Sequence, residues 1–206
     1  MRTVYLYVMN TMADWEPAPV MAELNSGRFF KKDAEEIVVK TVSRTAHPIT
    51  SMGGLTIVPD LMLDDIEVKK ENCLILPGSD CWSDPEHGKI VDIAREFLAC
   101  GAMVAGICGA TIALAAKGLL DDRQHTSNGV GFLDMFCPQY QGSEHYVDEP
   151  AVRDNNLITA AGTGSLMMAR LILEYLDVMK PETLNFWYNY FSSGDMGAFF
   201  SLMQTL

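Results

Sequence analysis

Strands alternating with helices from one end to the other predict an α/β fold, with a mostly parallel sheet and helices on both faces. Two observations carry this. Runs such as Thr3 to Met9 and Asn72 to Leu76 are apolar without strict alternation, as expected of strands buried on both faces of a parallel sheet. Between the strands lie segments with helical spacing and helix-end signals, such as Asp84-Pro85 ahead of Ile90, Ile93, Ala94, Phe97 and Leu98. A third stretch, Met103 to Thr111, gives the fold a focus. There an apolar strand runs into Cys108 and at once into the Ala/Leu-rich helical run Ile112 to Lys117.

In chain order, the first central strand ends in a polar segment, Asn10 to Glu16. Pro17 then marks a helix start, and the helix should run to about Leu24. Glu16 therefore stands at a helix N-terminus just beyond a strand end, where open α/β sheets place their ligands. Glu36 to Ser43 reads as a second strand. Ile49 to Pro59, with Gly53-Gly54 inside it, reads as a small hairpin or bulged excursion. Pro59-Asp60 opens a short segment that offers Leu61, Leu63 and Ile66 to the core. The strand Asn72 to Leu76 breaks at Pro77-Gly78-Ser79-Asp80, a turn whose backbone N–H groups could face an anion. After the helix from Asp84 to about Leu98, Cys100-Gly101 closes the turn.

Beyond the Cys108 helix, Gln124 to Gly129 is polar and returns to the same end of the sheet. A short helix is expected over Val130 to Phe136. Tyr146-Val147-Asp148 and Val152 to Ala160 are expected as two strands around the turn Asp154-Asn155-Asn156. Ala161 to Gly164 is a small-residue turn into a helix expected over Leu166 to Met179, stopped by Lys180-Pro181. The segment 182–206 carries seven aromatic side chains, among them Trp187, Phe191 and Phe200. That is too much aromatic surface to leave bare, so it should pack on the core or form a subunit contact.

At 206 residues the chain can bury one sizeable core, and no Pro/Ser/Gly-rich linker divides it, so residues 1–206 are expected to form a single domain. A net charge of −12, with lysines and arginines scattered, argues against nucleic acid or an anionic membrane as partner. The N-terminal apolar run is too short for a signal segment, and no apolar run approaches about 18 residues, so a cytoplasmic protein is expected. Five cysteines, with neither CxxC nor Cys/His ligand spacing, suggest free thiols rather than a disulfide framework or zinc site. No metal, nucleotide or flavin fingerprint is present, and no cofactor is expected.

At the Cys108 turn, Gly106 and Gly109 each cost about 0.5–1 kcal/mol against alanine in an element interior, so a geometric reason for them is expected. A strand turning sharply into a helix exposes its corner residue above the sheet edge, with helix N–H groups aimed at it. Such a corner is expected to lower a thiol pKa and make Cys108 a thiolate.

Several segments together carry a family resemblance. They are the elbow Ala105-Gly106-Ile107-Cys108-Gly109-Ala110, the loop Leu76-Pro77-Gly78, Gly118-Leu119-Leu120-Asp121, Val152-Arg153-Asp154 with Leu157 to Ala160, and Glu16. In this order, over about residues 3–180, they resemble the PfpI-type intracellular protease/amidase family. That family belongs to the class I glutamine amidotransferase-like superfamily, which includes the parkinsonism-associated deglycase-like protein. The resemblance implies one flavodoxin-like three-layer sandwich over residues 1–206, with 182–206 as an aromatic helical extension, and suggests a homodimer. It implies that Cys108 is a reactive nucleophile and that a protonated Glu16 hydrogen-bonds its thiolate. It also implies an oxyanion hole formed by backbone N–H groups at Gly78 or Ser79 and at Gly109.

The family's base is either the residue directly after the cysteine or a histidine twenty residues beyond it. Those positions here hold Gly109 and Asn128. His125, seventeen residues after Cys108, is the nearest candidate; His145 is a second, in a strand-like stretch, while His47 and His87 read as surface residues. Three functions follow. The first is a cysteine-dependent hydrolase acting on a small amide, ester, carbonyl adduct or peptide. The others are a redox sensor working through Cys108 oxidation, and a chaperone-like dimer using the aromatic tail.

Overall fold

The computed structural model describes all 206 residues. Its frame is a seven-stranded sheet built from the apolar runs. The strands are β1 (Arg2–Tyr7), β2 (Ile37–Ser43), β5 (Leu61–Met62), β6 (Cys73–Leu76), β7 (Met103–Ile107), β8 (Ala151–Asp154) and β9 (Leu157–Ala160). The order is β5-β2-β1-β6-β7-β9-β8, parallel throughout except for the antiparallel edge pair β8/β9. The central strands β6, β7 and β9 are buried along their whole length, which is why their sequences do not alternate. Ile49–Thr50 (β3) and Thr56–Ile57 (β4) form a separate antiparallel pair, the expected hairpin excursion.

From β1 the chain moves one way across the sheet to β2, and from β6 the other way to β7 and β9. Right-handed crossovers then place the connecting helices on opposite faces. Accordingly α1 (Ala18–Ser26) packs with α5 (Ser165–Tyr175), while α2 (Gly88–Ala99) and α3 (Gly109–Ala116) pack together and against β7. This is the three-layer, flavodoxin-like α/β arrangement. The short helix α4 (Phe132–Phe136) contacts α3.

Two expectations are corrected. The helix expected to reach Met179 ends at Tyr175, because Asp177 takes a left-handed conformation with φ of 51° and breaks the hydrogen-bond ladder. Tyr146-Val147-Asp148 forms no strand; Tyr146 makes only an isolated bridge to His125, and His145 lies in the preceding 3-10 turn. The turn at Asn155 instead joins β8 to β9. Residues 146–147 serve the loop before them, with the Tyr146 hydroxyl accepting the N–H groups of Ser127 and Gly129.

The C-terminal segment folds into α6 (Pro181–Ser193) and α7 (Met196–Gln204). Leu184, Trp187 and Leu202 are buried, and α6 packs on α5, while Phe191 and Phe200 stay exposed. The aromatic tail thus packs in part and leaves part of its surface bare.

Candidate active site

Loops following β1, β6 and β7 converge beyond the carboxyl ends of the sheet, where the order of connection reverses. Open α/β sheets bind ligands in that crevice. Cys108 occupies the corner between β7 and α3 with φ of 57° and ψ of −122°. A residue other than glycine is held there at a cost of about 1–3 kcal/mol, so the surroundings must enforce it. One enforcing contact is the Cys108 N–H, which donates to the Ala160 carbonyl at 2.9 Å. Close packing is another. A Cβ on Gly109 would sit 3.2 Å from both the Ser79 carbonyl oxygen and the Trp82 ring. One on Gly78 would fall 2.7 and 2.8 Å from the Glu16 carboxyl oxygens and 2.9 Å from the Cys108 Cβ.

Glu16 is fully buried. Its Oε2 accepts the Gly78 N–H at 2.5 Å. Its Oε1 is buried without a conventional hydrogen-bond partner and faces the Cys108 thiol. Burial pushes the Glu16 carboxyl above the ordinary range, outweighing the Gly78 hydrogen bond and the thiol contact that favour its ionised form. Burial likewise pushes the Cys108 thiol up; the Asn128 amide opposes this and the neighbouring Glu16 charge reinforces it. The elbow therefore does not lower the thiol pKa in the simple way its sequence suggests. Two acidic groups that each resist ionisation thus stand side by side.

Asn128 touches the sulfur directly: Nδ2 donates to Cys108 Sγ at 3.2 Å, while Oδ1 accepts the Gly162 N–H at 2.8 Å and so fixes which end of the amide faces the thiol. Trp15, half exposed, donates from Nε1 to the Gly162 carbonyl at 3.3 Å and forms a second edge of the site. Asn128 stands at the position twenty residues past the cysteine. The spacing is the sequence signal for it, although an amide is not a base.

His125 is not brought to Cys108. It is fully buried, with Nδ1 2.7 Å from the Arg123 carbonyl and Nε2 2.6 Å from the Tyr140 hydroxyl. A carbonyl only accepts, so Nδ1 carries the proton and Nε2 accepts from Tyr140. Burial pushes the imidazole's pKa down and keeps it neutral. The edge-on rings of Tyr140 and Tyr146 hold it in place. His145 pairs only with its neighbour Glu144, at 3.7 Å.

Of the backbone donors expected to face an oxyanion, Gly78 is engaged by Glu16. The N–H groups of Ser79 and Gly109 make no hydrogen bond to another residue's backbone or oxygen, and the Gly109 N–H lies against the thiol. The Ser79 hydroxyl is tied to the Asn10 carbonyl at 2.8 Å.

Fold and site together define a flavodoxin-like α/β protein with a cysteine at a strained strand–helix elbow, facing a buried carboxyl. Residues 2–175 match the model of the DJ-1/PfpI family, and the chain belongs to that family. It is 44% identical to the "Uncharacterized protease YoaZ" of Bacillus subtilis (strain 168), covering 100% of this chain and 98% of that one. A crystal structure of a thiJ/pfpI family protein from Bacillus anthracis superposes with a TM-score of 0.97 at 44% identity, covering 100% of this chain and 98% of the other. The "Deglycase PfpI" of Pyrococcus furiosus is 27% identical over 66% of this chain and 79% of its own length. No helix is long and apolar enough to cross a membrane.

Proposed function

We propose that the chain is a cysteine-dependent enzyme acting on small carbonyl compounds or their adducts, in the manner the deglycase name of its relative describes. Cys108 is the nucleophile and Glu16 the group that carries the proton. The observation behind this reading is the buried Glu16 Oε1, which has no conventional partner and faces the thiol.

In the reactive form the proton sits on Glu16 and Cys108 is a thiolate held by the Asn128 amide and the Gly109 N–H. The sulfur attacks the carbonyl carbon and forms the C–S bond, and the C=O π pair moves onto oxygen. The alkoxide is met by the free N–H of Ser79 and by the Gly109 N–H, which is released as the sulfur loses its charge. Glu16 then gives it the proton, leaving a neutral hemithioacetal and a Glu16 carboxylate, so charge and atoms balance. Addition needs no further base, which suits a site where an amide rather than an imidazole touches the sulfur. Peptide hydrolysis, suggested by the protease name of the Bacillus subtilis relative, would need a group to activate water and protonate the leaving amine, and His125 is committed to Arg123 and Tyr140.

The test is consumption of methylglyoxal, with trapping of the thiol adduct by intact mass. Wild type consumes the aldehyde, and Cys108→Ala abolishes both consumption and adduct. Unchanged consumption by Cys108→Ala would overturn the reading.

A further inference from the structure

The loop after β6 turns its backbone toward the elbow, and one of its N–H groups stands apart. Gly78 donates to Glu16, Asp80 donates to Thr11 Oγ1 at 3.1 Å, and Cys81 donates to Ser79 Oγ at 3.0 Å. The Ser79 N–H, in the middle of this series, is unused. Its direction is set by its own peptide plane. The Gly78 carbonyl accepts the Ala13 N–H at 2.9 Å, and in a trans peptide the Ser79 N–H points the opposite way. The Ser79 nitrogen lies 3.6 Å from where a Cβ on Gly109 would stand, so the missing side chain leaves room between this donor and the elbow.

Thr11, in the loop after β1, grips the same turn. The Ser79 hydroxyl gives its one proton to the Asn10 carbonyl at 2.8 Å, so in the 3.0 Å contact between the two hydroxyls Thr11 is the donor. Thr11 thus donates to Ser79 and accepts from Asp80, bracketing the peptide segment that carries the free N–H. Its own backbone is strained. Its φ is 58°, in the left-handed region that a β-branched residue avoids. The Thr11 N–H, which donates to the Thr50 carbonyl at 2.9 Å, helps to hold it there. A glycine would take this turn without the strain. What threonine adds is a hydroxyl, and every contact of that hydroxyl is with Ser79, Asp80 or Cys81.

We propose that Thr11 is a positioning residue of the oxyanion site. Its hydroxyl fixes the turn at Ser79 and Asp80, so that the Ser79 N–H faces the oxygen that becomes negative when Cys108 adds to a carbonyl. This role rests on the addition chemistry proposed for Cys108. A donor held in place beforehand needs no rearrangement as charge develops, and that is what makes it effective. Loss of the Thr11 hydroxyl would loosen the donor and leave Cys108, Glu16 and Asn128 with the contacts they have.

Two probes separate the donor from the thiol. 4-Nitrophenyl acetate acylates a thiolate through a tetrahedral oxyanion and releases 4-nitrophenolate, whereas iodoacetamide alkylates it by direct displacement of iodide and forms no oxyanion. Both rates are read on the Cys108 peptide of the full chain by mass spectrometry, with exposed Cys100 as internal reference. In wild type the ratio of acylation to alkylation should be higher at Cys108 than at Cys100. Thr11→Val keeps the shape and removes the hydroxyl. It should slow acylation of Cys108 by about tenfold or more, approaching the roughly 10²–10³-fold lost when an oxyanion donor itself is removed, and leave alkylation unchanged. Thr11→Ser should restore acylation. Thr11→Gly removes hydroxyl and strain together, so it should show the same loss while melting close to wild type. An equal fall in both rates, full acylation in folded Thr11→Val or Thr11→Gly, no rescue by serine, or a wild-type ratio no higher than that of Cys100 would each overturn the assignment. A wild type that consumes no methylglyoxal but shows these rate differences would remove the proposed substrate and leave the role of Thr11 standing.

Discussion

Two buried carboxylates lie seven residues apart, one before and one within the same helix, and they are treated in opposite ways. Glu23, on α1, is almost fully buried and almost fully satisfied. Arg28 donates to both of its oxygens, from Nε at 3.1 Å and from Nη2, and the Trp187 indole donates at 3.0 Å. Glu16, just ahead of α1, has one backbone donor and one oxygen left over. A buried charge is tolerable when paired and hydrogen-bonded, and otherwise the group keeps its proton. Glu23 thus serves as a fastener between α1 and α6 of the C-terminal extension, while Glu16 is a proton held beside a sulfur. Burial does not separate the two carboxylates; the unused oxygen does.

The largest effect expected from this contrast is on turnover. Glu16→Gln keeps the shape of the side chain but cannot supply the proton, so aldehyde consumption should fall by about 10²- to 10⁴-fold with the fold intact. A rate near wild type in Glu16→Gln would place the proton elsewhere and erase the distinction between the two carboxylates.

Stability against pH sharpens the same contrast. Folding raises the Glu16 pKa, so the native state binds its proton more tightly than the unfolded chain does. The stability this contributes is fully present below the ordinary glutamate value of 4.5 and is lost as pH rises through the raised native value. Denaturant melts of wild type and Glu16→Gln should therefore diverge over that window, the variant gaining relative stability at the higher pH. Asp14 and Asp60, whose carboxyls are held below their ordinary range, act in the opposite sense in both proteins and cancel in the difference.

The sheet was legible in the sequence because buried parallel strands are written as continuous apolar runs, and the elbow because Gly106 and Gly109 have no other use beside Cys108. Tertiary partners were not legible. His125 and Asn128 stand three residues apart in one polar loop, and residue chemistry favours the histidine. Which of them faces the sulfur is decided by Tyr140, fifteen residues further on, and by the Gly162 N–H, thirty-four residues further on. Composition equally could not separate Glu16 from Glu23, since Arg28 and Trp187 reach Glu23 from beyond its own turn. The helix end at Asp177 was hidden because its left-handed backbone is carried by an aspartate rather than the glycine that usually announces it.

The smallest expected effects fall on Glu23. Breaking a fully buried pair costs about 3–5 kcal/mol, but the Arg28 side chain is 51% exposed and regains water when released. Glu23→Gln should therefore destabilise by about 1–3 kcal/mol in urea melts. Trp187→Phe, which keeps most of the buried ring and removes one donor, should cost about 1–2 kcal/mol. Neither should change aldehyde consumption at temperatures where the protein is folded, because Glu23 already has its partners and takes no part in moving a proton. If Glu23→Gln instead lowered turnover as steeply as Glu16→Gln, the helix between them would be transmitting the loss to the site. The C-terminal extension, held to α1 through this carboxylate, would then be part of what positions Glu16.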